Sequence, residues 1–285
     1  MYQKEELLQA LTNQAAEVLP GNNEQLEKEV EILVNEANKS NQTLRSYIGF
    51  EISGKMHIAY ILLMLRVKRL QKAGIRPVIY LADYHTWLNG KLDGKIETAR
   101  KVALEYFAPT MGAVAKSRGA DAENIDFILG KDLYERKDKY GNSIWTYDQT
   151  IGLNLTLYRV KKSISIMGKS EDEGVSFGTL RYPVMQVSDA FFMQSHIVHA
   201  GMDQRKCHVL MREVAGKLSD EFSLKVGDKS IAPIAVHDPL LLSLGLNAES
   251  AKGKMDSNSL KMSKSKKNSA VWEHDTYDQI NAKLK

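Results

Sequence analysis

Apolar positions along the chain follow two alternating rhythms. Short unbroken runs at 44–50 (LRSYIGF), 76–83 (RPVIYLAD), 125–130 (IDFILG) and 195–201 (SHIVHAG) have the length and the branched or aromatic content of buried strands. Between them, spacings of three and four residues predict helices over 57–73, 94–107, 150–167, 177–193 and 203–217. Gly74 stands where a helix end favours a left-handed residue, and Pro109 marks the expected stop of the 94–107 helix. Residues 231–239 are a candidate fifth strand. Ahead of the first strand, 4–19 and 23–38 carry helical spacing broken at Pro20-Gly21. The polar stretch 133–149 contains a Tyr-Gly-Asn turn and predicts a hairpin or loop insertion. Residues 245–269, rich in Ser, Asn, Gly and Lys, predict a long mobile loop, and the final fifteen residues predict one more helix.

Strands alternating with helices of this length predict an α/β protein with a parallel, roughly five-stranded, doubly wound sheet. Such sheets bind ligands beyond the carboxyl ends of their strands, where the strand order reverses. Composition narrows the class. The chain has 285 residues, 43% of them hydrophobic and 26% charged, enough to bury a full core. A net charge of +4 permits an anionic partner without demanding one. The single cysteine, Cys207, excludes an internal disulfide framework and suits a reducing compartment. The absence of a signal-peptide pattern or a membrane-length apolar run points to the cytoplasm.

Four stretches carry candidate chemistry. In "EISGKMHIAY", a strand runs into a helix through Ser53 and Gly54, with His57 in the turn. Unpaired N–H groups and the helix dipole make such a junction a phosphate site, although a first-turn histidine is also a common cap. In "YPVMQVSD", Tyr182, Gln186 and Asp189 fall at i, i+4 and i+7, lining either a pocket or a polar surface stripe. In "HAGMDQRKCH", Gly201 allows a ring or ribose to lie on the backbone and Asp203 offers a partner for ribose hydroxyls; a tight turn with an aspartate cap fits as well. In "LKMSKSKKN", lysines in a loop can neutralise a departing polyphosphate, or form a solvated basic patch.

Lys261-Met262-Ser263-Lys264-Ser265 match the second signature of the class I aminoacyl-tRNA synthetases, and "HIAY" (57–60) stands at the place of the first, His-Ile-Gly-His. With "SYIGFEISGKMHI", "LADYHTWLN" and "GMDQRKCHVLMRE", the chain from about residue 44 closely resembles the archaeal and eukaryotic tyrosyl-tRNA synthetases. The resemblance implies a Rossmann-like nucleotide-binding domain over 44–244, a helical lead-in over 1–43, and a lysine loop with the start of a truncated helical region over 245–285. It implies tyrosine–tRNA ligase activity with L-tyrosine, ATP and tRNA(Tyr) as substrates, Mg2+ accompanying ATP, no protein metal site and a homodimer. Tyr47 and Asp189 would meet the substrate's hydroxyl. Tyr182, Gln186 and Gln204 would hold its ammonium group, with Gly49, Ala82 and His85 around its ring. Glu51, Ser53, Gly54, Gly201 and Asp203 would receive ATP together with the loop residues Met262, Ser263 and Ser265, while His57, Lys261 and Lys264 stabilise the triphosphate. A tryptophanyl enzyme has no use for a hydroxyl-reading pair. Arg159, Lys161 and Lys162 are candidate tRNA phosphate contacts or a solvated helix face.

Two departures stand out. Ala59 and Tyr60 replace the glycine and second histidine of the first signature, an alanine methyl where ATP's base packs and a tyrosine that carries no positive charge. Family members also continue into an anticodon-reading helical domain, whereas this sequence stops twenty residues past Ser265. A split gene with a separate anticodon-binding polypeptide, a fragment, or a paralogue each fits. These departures keep a second reading, a non-catalytic synthetase-like binding subunit with impaired ATP handling.

Overall fold

The computed structural model describes residues 1–169, 174–244 and 270–284. Six strands, β1 (Glu17–Leu19), β2 (Arg45–Phe50), β3 (Arg76–Leu81), β4 (Asp126–Leu129), β5 (Ile197–Gly201) and β8 (Ile234–Asp238), form the main sheet; β6 (Leu224–Val226) and β7 (Lys229–Ile231) pair separately. The sheet order is β1-β8-β5-β2-β3-β4, parallel except for β1, which runs antiparallel to β8. Successive side chains of a strand point to opposite faces. Tyr47, Val78, Tyr80, Val198 and Ala235 accordingly enter one apolar cluster, and Ile48, Phe50, Ile79 and Leu81 another. Burial on both faces is why the strands read as unbroken apolar runs.

Helices cover each face. In the lead-in, α1 (Lys4–Thr12) and α2 (Asn23–Ser40) bury Leu7, Leu11, Leu26, Val30 and Leu33 against Ile197, Ile234 and Val236. The helix α3 (Ala59–Lys72) packs Met64 and Val67 with Phe107 and Met111, and Gly74 does close it in the left-handed region, at φ +80°. A short α4 (Asp83–Leu88) follows β3. After α5 (Ile96–Val102) the chain does not stop before Pro109. It widens into a π turn over Ala103–Phe107 and continues as α6 (Ala108–Ser117). Pro109 lies in the first turn of α6, directly after the π turn.

The stretch expected to be a hairpin is mostly helical. α7 (Gly130–Glu135) leads into a tight loop with an isolated bridge between Lys137 and Ser143, and α8 (Ile144–Leu153) begins directly after it. Asp138 ties that loop by accepting from the N–H groups of Tyr140 (2.9 Å) and Asn142 (2.8 Å) and from the Tyr147 hydroxyl (3.0 Å). The predicted 150–167 helix is divided into the end of α8, α9 (Leu157–Ser163) and a 3-10 turn over Ile164–Met167. Then come α10 (Phe177–Leu180), α11 (Tyr182–Phe192) and α12 (Arg205–Ala215), with a last helix over Tyr277–Leu284.

The sixth strand is the larger correction. Residues 17–19 continue a helical spacing, yet they extend and pair with β8, Glu17 opposite His237. Glu17 there receives Arg205 at 2.6 Å and lies 3.0 Å from His237. A free sheet edge more than two hundred residues away overrides local spacing. Among the described residues no helix is long and apolar enough to cross a membrane.

Candidate active site

Strand order reverses between β5 and β2, and a cleft of about 730 Å3 opens at their carboxyl ends. Its floor is the turn after β2. Gly54 adopts φ +62°, a conformation that a side chain would strain. The Ile52 N–H donates to Thr86 Oγ1 at 2.7 Å and the Met56 N–H to the Tyr106 hydroxyl at 3.1 Å, which pins the turn from both sides. The chain following the lysine-rich stretch returns here. Ile58 N–H donates to the Val271 carbonyl (3.1 Å), Glu273 N–H donates to the Met56 carbonyl (3.2 Å), and the His57 ring lies 6.1 Å from that of Trp272. Lys261, Met262, Ser263, Lys264 and Ser265 lie outside the described residues.

Tyr60, the departure from the first signature, lines the cleft but is largely a core residue. Its ring stacks on Phe50 at 5.3 Å and meets Phe107 edge-on at 6.4 Å, with 7% of the residue exposed. Burial, and then the charge of Glu273, raise the pKa of its hydroxyl. Ala59 lines the cleft beside it.

The stripe predicted on 182–189 is a pocket wall. The Tyr182 hydroxyl is 3.5 Å from Glu51, whose carboxylate also accepts from Asn89 at 2.6 Å and sits 3.8 Å from Lys91. The Gln186 amide donates to Gln204 at 3.3 Å, and Gln204 donates to the Ile166 carbonyl at 3.1 Å. At the deep end, Asp189 is 0% exposed. Its Oδ1 accepts from the Tyr134 hydroxyl at 3.2 Å, while Oδ2, 3.5 Å from His85 Nε2, has no hydrogen-bond partner among the described residues. Both ring nitrogens of His85 and the Tyr80 hydroxyl also lack partners. Burial pushes the His85 pKa down to about 3, so the ring is neutral at physiological pH. The Tyr47 phenol completes the group, raised by burial and then by the charge of Asp189. A Cβ at Gly49 would lie 2.6 Å from the Tyr47 hydroxyl oxygen, so this phenol is the reason position 49 has no side chain.

Among the described residues three other aspartates are buried, and each has an arginine. Asp83 takes Arg100 at 2.8 Å, Asp238 takes Arg66 at 2.7 Å, and Asp148 is paired with Arg181. Asp189 has no cation among the described residues. Burial raises its pKa well above the carboxylate range; the Tyr134 hydrogen bond opposes that, and the charges of Asp148 and Asp83 add to it. A carboxyl group desolvated without a counter-ion, with one empty acceptor facing neutral donors, is poised for a neutral ligand that brings a hydroxyl.

The opposite wall is flat. A Cβ at Gly201 would come within 2.7 Å of Asp203 Oδ1 and 2.9 Å of Leu240 Cδ2, so the backbone itself forms the surface. Asp238 stands level with Gly201 across the β5–β8 ladder.

The cleft is lined by Tyr47, Gly49, Glu51, Ser53, His57, His85, Tyr182, Gln186, Gly201, Asp203 and Gln204, all named from sequence. Asp189 sits behind this lining at the deep end, Ala82 is buried beneath it, and Gly54 is exposed in the turn. Sequence reasoning missed Tyr80, Tyr134, Asn89 and Lys91. Tyr80 lay in a strand run that reads only as core, and Tyr134 in a stretch that reads as loop. Among the described residues no group of three His, Cys, Asp or Glu side chains is placed to hold a metal ion.

A parallel sheet with its pocket at the reversal of strand order places the molecule among the Rossmann-like ligand-binding proteins. A profile of the family described as tRNA synthetases class I (W and Y) matches residues 38–285, and the chain belongs to that family. It is 42% identical over 242 residues to the tyrosine–tRNA ligase of Pyrobaculum arsenaticum, covering 85% of this chain and 63% of that protein. With the tyrosine–tRNA ligase of Thermococcus sibiricus it shares 43% identity over 252 residues, 85% of this chain and 64% of the relative. The chain thus spans just under two thirds of these relatives. Among solved structures, the tyrosyl-tRNA synthetase of Pyrococcus horikoshii complexed with L-tyrosine superposes with a TM-score of 0.85 at 36% identity, over 99% of this chain and 74% of that one. The Leishmania major tyrosyl-tRNA synthetase in complex with tyrosinol gives 0.76 at 28% identity, over 99% of this chain and 36% of that one.

Proposed function

We propose that this chain carries the catalytic part of a tyrosine–tRNA ligase, which joins L-tyrosine to AMP from ATP and passes the tyrosyl group to tRNA(Tyr). The observation that carries this reading is Asp189, a buried carboxyl group that among the described residues has no cation and leaves one acceptor unpaired beside Tyr47 and His85. The substrate hydroxyl fills that acceptor. A bare phenyl ring leaves it unpaired, at the full cost of a desolvated polar group. Tyr182, Gln186 and Gln204 hold the ammonium group, and Gly49, Ala82 and His85 surround the ring. Gly201 and Asp203 receive the adenosine.

In the first step a tyrosine carboxylate oxygen bonds to the α-phosphorus of ATP, the α–β bridging bond breaks, and pyrophosphate leaves; Mg2+ carried by ATP would offset its charge. The chain supplies position and charge, with little proton transfer. The turn from Glu51 to His57 lies under the phosphates. Lys261 and Lys264 belong to the departing pyrophosphate, a role supported by the return of Val271–Glu273 to this turn. For tRNA, Arg159 is engaged by Glu213 and Lys162 lies over the Tyr158 ring, so Lys161 is the freer phosphate contact of the three. The homodimer expectation is supported by the exposed apolar side chains Leu153, Leu157, Tyr158 and Phe177 on α8, α9 and α10.

Tyrosine-dependent exchange of labelled pyrophosphate into ATP tests the reading on the purified chain. Exchange with tyrosine and little with phenylalanine is the expected result. Tyrosine binding without exchange would identify a binding subunit, and binding of neither amino acid would overturn the assignment.

A further inference from the structure

Tyr134 is held in a column of five side chains. Its ring lies 4.8 Å from Tyr84 on one side and 5.0 Å, edge-on, from Trp145 on the other. Arg100 caps Tyr84 at 5.4 Å and Arg181 caps Trp145 at 5.5 Å. Each arginine is anchored in turn by a buried aspartate, Asp83 and Asp148. The column joins α4, α5, α7 and α8, and its product is one contact, the Tyr134 hydroxyl on Asp189 Oδ1. An aromatic ring held between two other rings has few ways to move its hydroxyl.

We propose that Tyr134 is a positioning residue that sets specificity: by occupying Asp189 Oδ1 it leaves Oδ2 as the single acceptor for the hydroxyl of the amino acid. This inference rests on the tyrosine reading above. A carboxyl group with both oxygens unpaired can rotate, and a water molecule can take either acceptor, so a ligand hydroxyl gains less by arriving. The same hydrogen bond favours the charged form of Asp189. The groups facing that carboxyl are Asp83 and His85 of α4, Asp148 of α8, Tyr47 of β2, Tyr80 of β3, Tyr182 of its own helix and Cys207 of α12. The aspartates and the burial favour its neutral form, so Tyr134 acts against both.

The test is Tyr134→Phe in the full chain, which keeps the ring in its column and removes the hydroxyl. Tyrosine and phenylalanine are compared by equilibrium binding and by pyrophosphate exchange across pH. The tyrosine-over-phenylalanine ratio is expected to fall about tenfold through the KM for tyrosine. The acid limb of the tyrosine profile moves to higher pH, while phenylalanine binding and Tm stay near wild type. Tyr134→His, which keeps a ring and a donor, recovers part of the ratio. An unchanged ratio and acid limb in Tyr134→Phe would overturn the inference. So would equal losses for both amino acids, or equal losses in the Phe and His variants, since those outcomes mean a packing role. A wild-type chain with no preference for tyrosine would remove the tyrosine reading itself, and the inference with it.

Discussion

Asp189 and Asp238 stand at two ends of one cleft. Both are buried, both have one oxygen paired and one without a partner among the described residues, and burial raises the pKa of both. They differ in what faces the paired oxygen. Asp238 Oδ1 receives two nitrogens of Arg66, at 3.1 and 2.7 Å, and that guanidinium also donates to the carbonyls of Ala10 and Leu11 in α1. Asp189 receives only a phenol. The first is a structural ion pair that fastens the lead-in helix to the end of β8. The second is a carboxyl group with no cation beside it among the described residues, at the place proposed for the substrate hydroxyl. Burying a carboxyl group without a cation is costly for stability, and a strongly shifted carboxyl group in a cleft marks a candidate functional site.

The contrast can be broken most severely at the structural end. Arg66→Leu strands Asp238 in the interior, and a loss of about 3–5 kcal/mol in urea unfolding is expected. Tyrosine preference over phenylalanine in the surviving folded fraction should be intact; a variant that loses preference and keeps stability would reverse the two roles. At the ligand end, Asp189→Asn keeps size and burial. It is expected to lower kcat/KM for tyrosine in the exchange reaction about a hundredfold, with phenylalanine nearly unaffected and little change in Tm. Gly201→Ala places a methyl 2.7 Å from Asp203 Oδ1, and a rise of about tenfold in KM for ATP at constant KM for tyrosine is expected.

The smallest effect sharpens the electrostatic side of the comparison. His199 is buried near Arg66, and burial, with Arg66 adding, lowers its pKa to about 3. The unfolded chain protonates this ring near 6.5, the folded chain only near 3, so stability present above the unfolded value is lost as pH falls between the two. The raised aspartates act with the opposite sign, since their contribution is lost as pH rises. Comparing wild type with His199→Leu cancels their part. The variant should lose about 1.4 kcal/mol less per pH unit below roughly pH 6. Parallel stability–pH curves would mean that His199 is not held neutral.

Much of the arrangement was legible in sequence where its cause is local. The helix α11 follows from spacing, and i, i+4 and i+7 alone put Tyr182, Gln186 and Asp189 on one side of it. Strand runs alternating with helices gave the parallel sheet, and with it the edge on which Glu51, His57, Gly201 and Asp203 meet. Whether the stripe on α11 faced a pocket or water was open, because spacing states which residues share a face and not what lies opposite. Position 60 illustrates the same limit. Its place in the first signature raised an expectation of phosphate chemistry, yet Phe50 and Phe107 draw the ring into the core.

By itself, then, the sequence determined the alternation of the main strands and helices, the turn after the first long strand, the shared face of α11 and the family resemblance, all of which depend on neighbours within a few residues. Tertiary structure alone decided the rest. It gave residues 17–19 a strand partner, carried the helix through Pro109 and placed Tyr134 on Asp189 across 55 positions of sequence. Among the described residues it also assigned an arginine to three buried aspartates and none to the fourth. The reason is physical: hydrogen-bond geometry repeats along a chain, while desolvation depends on whatever distant segment removes the water.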